Sequence, residues 1–310
     1  MAKNKALATE PAGEALMNGQ PAVKEKHESI WKDVFAGIVS NKASLVSGIF
    51  ILVLATIAIV TKVAPGVLPY DPYAQNLSES LLGPSAQHWF GTDIQGRDIF
   101  CRVLVGTQIT LTVGLAAVAI SLTVGVILGS IAGYKGGKWD TVIMRIMDMM
   151  LAIPSILLAI AIMAALGPGI EKAVVAIGLV AIPEYARIVR SEILSIKEND
   201  YVAAARVIGD SNFKIVFKHV LPNVLPSIIV RATLGISTAI LDAAALGFLG
   251  LGVQPPAAEW GDMLGRGRNE LFRAPWLMIF PGLAITLTVL AFNLLGDGVR
   301  DGLDPKARKR

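Results

Sequence analysis

Val103-Leu-Val-Gly-Thr-Gln-Ile-Thr-Leu-Thr-Val-Gly-Leu-Ala-Ala-Val-Ala-Ile-Ser-Leu-Thr-Val-Gly-Val-Ile-Leu-Gly-Ser-Ile-Ala-Gly-Tyr134 runs for 32 residues between Arg102 and Lys135 without a charge. Backbone N–H and C=O groups find no partner in hydrocarbon, so a chain crosses a bilayer as a helix of about 20 apolar residues. This stretch suffices for one tilted crossing with its approaches. Upstream, the 19 residues between Lys42 and Lys62 are also uncharged. Downstream lie 22 uncharged residues between Asp148 and Glu171, with Pro154 near their start, and a shorter run from Lys172 to Glu184 that must extend toward Arg187. A fifth candidate, Asn223 to Gly247, contains Arg231 and Asp242, and a sixth, Ala274 to Gly296, is free of charge. The composition agrees: 54% of the 310 residues are hydrophobic, 17% are charged and the mean hydropathy is +0.60, too little charge to wet a globular surface. The expectation is an all-α, polytopic membrane protein with six spans.

Six spans put both termini on one side, and the basic residues choose the side. Segments 1–42, 134–148, 187–222 and 296–310 hold 20 of the 28 Lys and Arg residues, against 6 in 65–102, 167–172 and 246–275. Both termini are therefore expected in the cytoplasm. The expected organisation is a partly disordered segment 1–42, a first span 43–64, an extracytoplasmic loop 65–102, a core of five spans 103–296 enclosing a cytoplasmic loop 190–222, and a tail 297–310. Residues 1–42 have no apolar core of a signal peptide, so the first span is expected to direct insertion. Basic residues sorted by membrane side, with 6% aromatics, do not form a nucleic-acid stripe, and no nucleic acid is expected. A lone Cys101 excludes an internal disulfide framework and any CxxC site.

The cytoplasmic loop reads Asn199-Asp-Tyr-Val-Ala-Ala-Ala-Arg-Val-Ile-Gly209, then Asp210-Ser-Asn-Phe-Lys-Ile-Val-Phe-Lys-His-Val-Leu-Pro222. Asp200 suits an N-cap, and Tyr201 to Ile208, with Arg206, favours a short helix. Gly209 suits the left-handed position that ends one. Asp210 or Ser211 can cap a second helix, limited or kinked by Pro222 and Pro226. In it Phe213, Val216, Phe217 and Val220 recur at i, i+3, i+4 and i+7, the spacing of one apolar face. The pattern is two short helices at a glycine corner, with Ala203, Ala204 and Ala205 offering a face for close approach. An amphipathic hairpin lying on anionic lipid is the alternative.

Ala204-Ala205, Gly209 and Leu221-Pro222 resemble the EAA loop of membrane subunits of ATP-binding-cassette importers: E-A-A, three residues, Gly, nine residues, an apolar residue, any residue, Leu-Pro. Ala203 replaces the usual Glu and His219 the usual Ile. With Asp200 as N-cap, the missing Glu would remove a capping-box bond worth about 0.5–1 kcal/mol. Three further stretches resemble the second, C-type membrane subunit of the peptide and nickel branch, dipeptide permeases most closely: Trp89-Phe-Gly-Thr-Asp-Ile-Gln-Gly-Arg-Asp98; Asp242-Ala-Ala-Ala-Leu-Gly-Phe-Leu-Gly-Leu-Gly252 with Gln254-Pro-Pro256 and Glu259-Trp-Gly261; and Phe292-Asn-Leu-Leu-Gly-Asp-Gly-Val-Arg-Asp-Gly-Leu-Asp-Pro305. The likeness covers roughly residues 30–306. It implies a type I importer permease fold, a coupling helix seated in a cytoplasmic ATPase, a homologous permease, two ATPase subunits and an extracytoplasmic solute-binding protein. ATP and Mg would then sit on the partner subunits, with no cofactor on this chain.

The residues agree that this chain has no engine. Gly133-Tyr-Lys-Gly-Gly-Lys-Trp139 lacks the spacing and final hydroxyl of a phosphate-binding loop, and neither H-E-x-x-H nor G-x-S-x-G occurs. His27, His88 and His219 are scattered over both sides, so no metal site and no catalytic residue is expected. Arg231 and Asp242 are exceptional charges at membrane depth, about 16 Å apart on nearly one helix face. Either Arg231 snorkels inward and Asp242 bonds backbone, or both face the pathway of a zwitterionic solute. Gly247, Gly250 and Gly252 are expected to be a packed helix end or an outer gate. Arg97, Asp98, Glu259 and Asp262 are candidate contacts to the binding protein, Trp89, Trp260 and Trp276 interface anchors, and Lys306 to Arg310 a contact to membrane lipid. The rival functions are permeation of nickel, glutathione or another small solute, an ion-coupled carrier, an intramembrane enzyme, and a receptor without transport.

Overall fold

Asn41 accepts hydrogen bonds on its side chain from the backbone of Ala43 and Ser44 and so starts α2 (Lys42–Val63), after a shorter α1 (Ile30–Ser40). The computed structural model describes residues 30–304. The expected disorder of the first 25 or so residues, His27 and the tail Lys306 to Arg310 lie outside them. At 1.5 Å per residue α2 measures about 33 Å, the thickness of a hydrocarbon core. Ile49, Leu52, Val53 and Ile59 stand exposed along it, the surface that lipid covers. Two short 3₁₀ turns and an outer loop follow, and Asp98 then caps α3 (Ile99–Lys135) by accepting from the Cys101 N–H. Gly136, at a φ of 65°, ends this helix.

The expected third crossing, 149–170, is divided. α4 (Gly137–Leu151) and α5 (Ser155–Leu166) meet at 93° across Ala152 to Pro154, because a residue before proline avoids the helical region. α5 has 12 residues, about 18 Å, too short to cross alone. The fourth, α6 (Ile170–Ile196), is long enough at 27 residues but carries Glu171, Lys172, Glu184, Arg187, Arg190 and Glu192. α7 (Asp200–Val207) is followed by α8 (Asn212–Lys214), a π-helical segment Ile215–Val220 and α9 (Leu221–Phe248). From Asn212 to Phe248 these run as one helix of 37 residues. α10 (Trp260–Gly267) lies in the loop between α9 and α11 (Trp276–Leu303), which closes the fold. Among the described residues, four helices thus have the length and apolarity of a crossing, and the bent pair α4–α5 adds a fifth. Six crossings are consistent with this arrangement once α6 is included as a charged one. Among the described residues there is helix and no strand, save one bridge between Thr92 and Asp98.

The centre is the α3–α6 pair. Gly125, Gly129 and Gly133 form a ladder along α3 against Tyr185, Ala186, Val189 and Ile193 of α6, while Gly178 of α6 meets Ala117 and Ile120. A Cβ on Gly129 would stand 2.6 Å from the Ala186 carbonyl oxygen. Without a hydrophobic drive between helices in lipid, such backbone approach supplies the packing. α9 lies across α3, α6 and α11. α1 packs on α11, where Gly37 faces Gly298 and Gly302.

Candidate functional site: a glycine corner and a cavity between α6 and α9

Asn199, with extended ψ of 146°, precedes α7 and makes no side-chain capping bond. Asp200 is therefore the first helical residue rather than the cap, and Ala203 lies one place beyond the capping-box position. The expected loss from a missing Glu does not arise. Gly209, at a φ of 92°, ends the element. Its N–H donates to the Arg206 carbonyl at 3.0 Å, and the Asp210 N–H to the Ala205 carbonyl at 3.1 Å, the paired bonds of a Schellman cap. Ser211 caps the next turn through the Lys214 N–H, and Asp210 accepts from Lys214 Nζ and lies 3.3 Å from His219 Nε2. The Lys214 hydrogen bond is the main reason the Asp210 carboxyl titrates below its ordinary value.

The corner is pinned from behind. Val202 and Ala205 of α7 bury with Ile215, Val220, Val224 and Ile228 against Val189 and Ile193 of α6. Ala203, Ala204 and Arg206 remain exposed, as do Tyr201 and Pro222, and Leu221 is half-buried. The expected apolar face does not point inward as a unit. Phe213 and Phe217 face outward, 72% and 56% exposed, with ring centroids 4.3 Å apart. Val207 and Ile208, at the end of α7, are exposed as well. The result is an apolar knob on a joint that links α6 directly to α9.

Midway along α6 and α9 lies a cavity of about 60 Å³, lined by residues of α3, α5, α6 and α9 that include Arg231 and Asp242. Arg231 forms an ion pair with Glu184 of α6 and sits 5.7 Å from the centroid of the Tyr185 ring. Glu184 marks only the end of an uncharged run in the sequence, and nothing there pairs it with Arg231. Asp242 has no partner among the described residues.

In the loops 65–98 and 249–275, the four residues expected to meet a partner are buried. Arg97 donates to Asp93 at 2.7 Å, Asp98 caps α3 and binds His88 at 2.9 Å, Glu259 caps α10 through the Gly261 and Asp262 N–H groups, and Asp262 accepts from Arg266 at 2.7 Å. None is more than 5% exposed, so each is spent inside the loop. Burial raises the Glu259 carboxyl to about 7 despite its two N–H donors. Trp260 is not an interface anchor: it is 1% exposed, its Nε1 donating to the Val103 carbonyl. Trp276 is half-buried and donates to Thr92, while Trp89 is exposed. Gly250, at a φ of 75°, ends α9, with its N–H donating to Gly247 and that of Leu251 to Leu246. A Cβ on Gly247 would overlap the Glu259 carboxylate, and one on Gly252 would lie 2.9 Å from Gly247. No group of His, Cys, Asp or Glu among the described residues is arranged to hold a metal.

Comparison with known proteins bears on this geometry. Residues 125–309 match the family described as binding-protein-dependent transport system inner membrane component. Residues 29–84 match the N-terminal TM domain of oligopeptide transport permease C. The dipeptide transport system permease protein of Alkalihalophilus pseudofirmus is 51% identical over 281 residues, 90% of this chain and 91% of that protein. The glutathione transport system permease protein of Shigella boydii is 45% identical over 300 residues, 95% of this chain and 97% of that one. Among solved structures, an inward-facing form of the MetNI methionine ABC transporter superposes with a TM-score of 0.56 at 21% identity, covering 66% of this chain and 98% of that one. That likeness concerns the fold. With the family matched over more than half its length and relatives this similar along nearly all of it, the chain belongs to the inner membrane components of binding-protein-dependent transport systems, as a multi-pass permease of the ABC importer fold.

Proposed function

We propose that the chain is the permease subunit of an ATP-driven importer of di- and oligopeptides, with both termini in the cytoplasm. A homologous permease completes the pathway, a solute-binding protein delivers peptide from outside, and two cytoplasmic ATPases carry ATP and Mg. The observation that carries the reading is the inner joint. An exposed apolar knob of Val207, Ile208, Phe213 and Phe217 is rigidly backed by α6 and α9, so a push on Asp200 to Pro222 turns both helices together. The peptide cargo is supported by the 51% identical dipeptide permease.

Alternating access follows from that lever. When the ATPases close, the two corners approach and the inner ends of α6 and α9 close with them; Arg231 and Asp242 line the pathway between. The turn Gly247, Gly250 and Gly252, packed on α10, serves as the outer gate. No bond is made or broken in this chain, and its work is mechanical.

Uptake of labelled dialanine and of glutathione in cells lacking the endogenous systems, with the four partner subunits supplied, tests the proposal. Dipeptide accumulation that stops when either ATPase is inactivated is expected. Glutathione uptake without dipeptide uptake would favour the second reading, which the 45% identical relatives support. Accumulation driven by an ion gradient with this chain alone in liposomes would refute the ATP-driven mechanism.

A further inference from the structure

The charges of the mid-membrane cavity do not balance. Glu184 and Asp242 are acidic, and Arg231, its sole cation, is already held by Glu184. What remains uncompensated is Asp242, with no partner among the described residues. A carboxylate at membrane depth without a counterion is costly, so it is retained where a cation or a water-filled path comes to it. Ser121, Thr238 and the Tyr185 ring complete the wall near it. The cavity lies halfway along α3 and α6, while Arg231 and Asp242 straddle the middle of α9. Its volume of about 60 Å³ has room for a few water-sized groups but not for a whole dipeptide.

We infer that this cavity is a subsite selecting for cationic side chains: Asp242 receives the side-chain ammonium of a lysine-type residue of the passing peptide, and Glu184 keeps Arg231 from cancelling that selectivity. The inference rests on the peptide-import reading and sharpens it. A wall of two opposite charges would hold both ends of a zwitterion. A wall whose arginine is neutralised presents a single free carboxylate, which favours a peptide with a cationic side chain over one with an anionic side chain. Glu184 thereby acts as a positioning residue, through Arg231, while Asp242 makes the contact.

The experiment compares uptake of Ala-Lys and Ala-Glu by the complete importer, in wild type and in Asp242→Asn, Asp242→Glu and Glu184→Gln. The same binding protein serves all four, so its own preference cancels when each variant's ratio is divided by that of wild type. Asp242→Asn should lower the Ala-Lys to Ala-Glu ratio about tenfold, the size of one charge-assisted hydrogen bond. Glu184→Gln should lower it in the same direction by releasing Arg231, and Asp242→Glu should leave it near wild type. An unchanged ratio in both neutral variants, with transport continuing, overturns the inference. So does equal loss of both peptides in Asp242→Asn or failure to copurify the homologous permease, since either makes Asp242 a structural or subunit contact. If wild type carries neither peptide, the import reading fails instead, and the two failures are distinct.

Discussion

Gly209 offers a perturbation whose cost can be worked out. A Cβ built there has no heavy atom within 4 Å, so a side chain meets open space in this chain and steric overlap contributes nothing. The cost is the backbone: a φ of 92° disfavours an L residue by about 1–2 kcal/mol, most for a β-branched one and least for asparagine. Two local hydrogen bonds, Gly209 to Arg206 and Asp210 to Ala205, each worth about 1 kcal/mol net, shape the turn itself, while buried packing holds the helices on either side of it. Gly209→Val therefore cancels most of what shapes the corner, whereas Gly209→Asn leaves most of it. At about 1.4 kcal/mol per tenfold, the valine variant should keep roughly a tenth of its corners in the coupling shape, or fewer. Peptide-stimulated ATP hydrolysis and uptake by the assembled importer should fall in the order Gly, Asn, Ala, Val. Equal damage from Asn and Val would refute the conformational argument and indicate a side-chain clash with the docked ATPase. Full activity of Gly209→Val would refute the coupling role of the corner itself.

Three further outcomes follow from the same geometry. Replacing Phe213 and Phe217 together by Ala should leave the thermal stability of the purified chain nearly unchanged, because both rings are exposed, yet reduce copurification of the ATPases; retained copurification would remove the knob from the docking surface. Gly129→Ile would drive a side chain into the Ala186 carbonyl and Val189, an overpacking cost of about 1–3 kcal/mol visible as a lower melting temperature in detergent, and an unshifted melt would contradict the close α3–α6 approach. Glu259 titrates near 7 when folded against an ordinary 4.5, so the folded state binds its proton more tightly than the unfolded state. Its contribution is present below 4.5, declines as pH rises, and is lost above about 7, a change of at most about 3 kcal/mol. The outer segment should thus melt lower at pH 8 than at pH 5, and Glu259→Gln should flatten the difference; a flat wild-type profile would refute it.

What could be read from residues alone divides along physical lines. The long uncharged runs are legible as helices because hydrocarbon allows no other spanning backbone there, and α2, α3 and α11 accord with them, while α9 forms despite Arg231 and Asp242. α6 is harder to read because three of its charges pair with other helices: Glu184 meets Arg231, Arg187 meets Asp148 and Arg190 meets Asp140. A hydropathy sum penalises each charge without knowing its partner. The outer charges were misassigned for the converse reason. Arg97, Asp98, Glu259 and Asp262 belong to a polar loop, and a polar loop suggests a wet surface. Here the loop folds over itself, and its charges cap helices and pair with Asp93, His88 and Arg266.

The inner corner shows how one backbone detail defeats a periodicity argument. Phe213, Val216, Phe217 and Val220 satisfy the 3.6-residue repeat, yet the buried residues are Ile215, Val220, Val224 and Ile228, whose first spacing is five rather than four. The segment between them is π-helical, with the Leu221 N–H donating to Val216 five residues back, and a π turn inserts one residue into the repeat. Pro222, which has no N–H to donate, and Pro226 follow at once and make an ordinary α register costly at this point. The extra residue rotates the chain ahead of Val220 by about 100°, which turns Phe213 and Phe217 out of the core. The feature that spoils the sequence pattern is therefore the one that presents the aromatic pair at the surface. A variant that restored the α repeat by deleting one residue between Ile215 and Val220 should bury a phenylalanine and weaken ATPase docking together. Loss of docking with both rings still exposed would separate the two effects and break the argument.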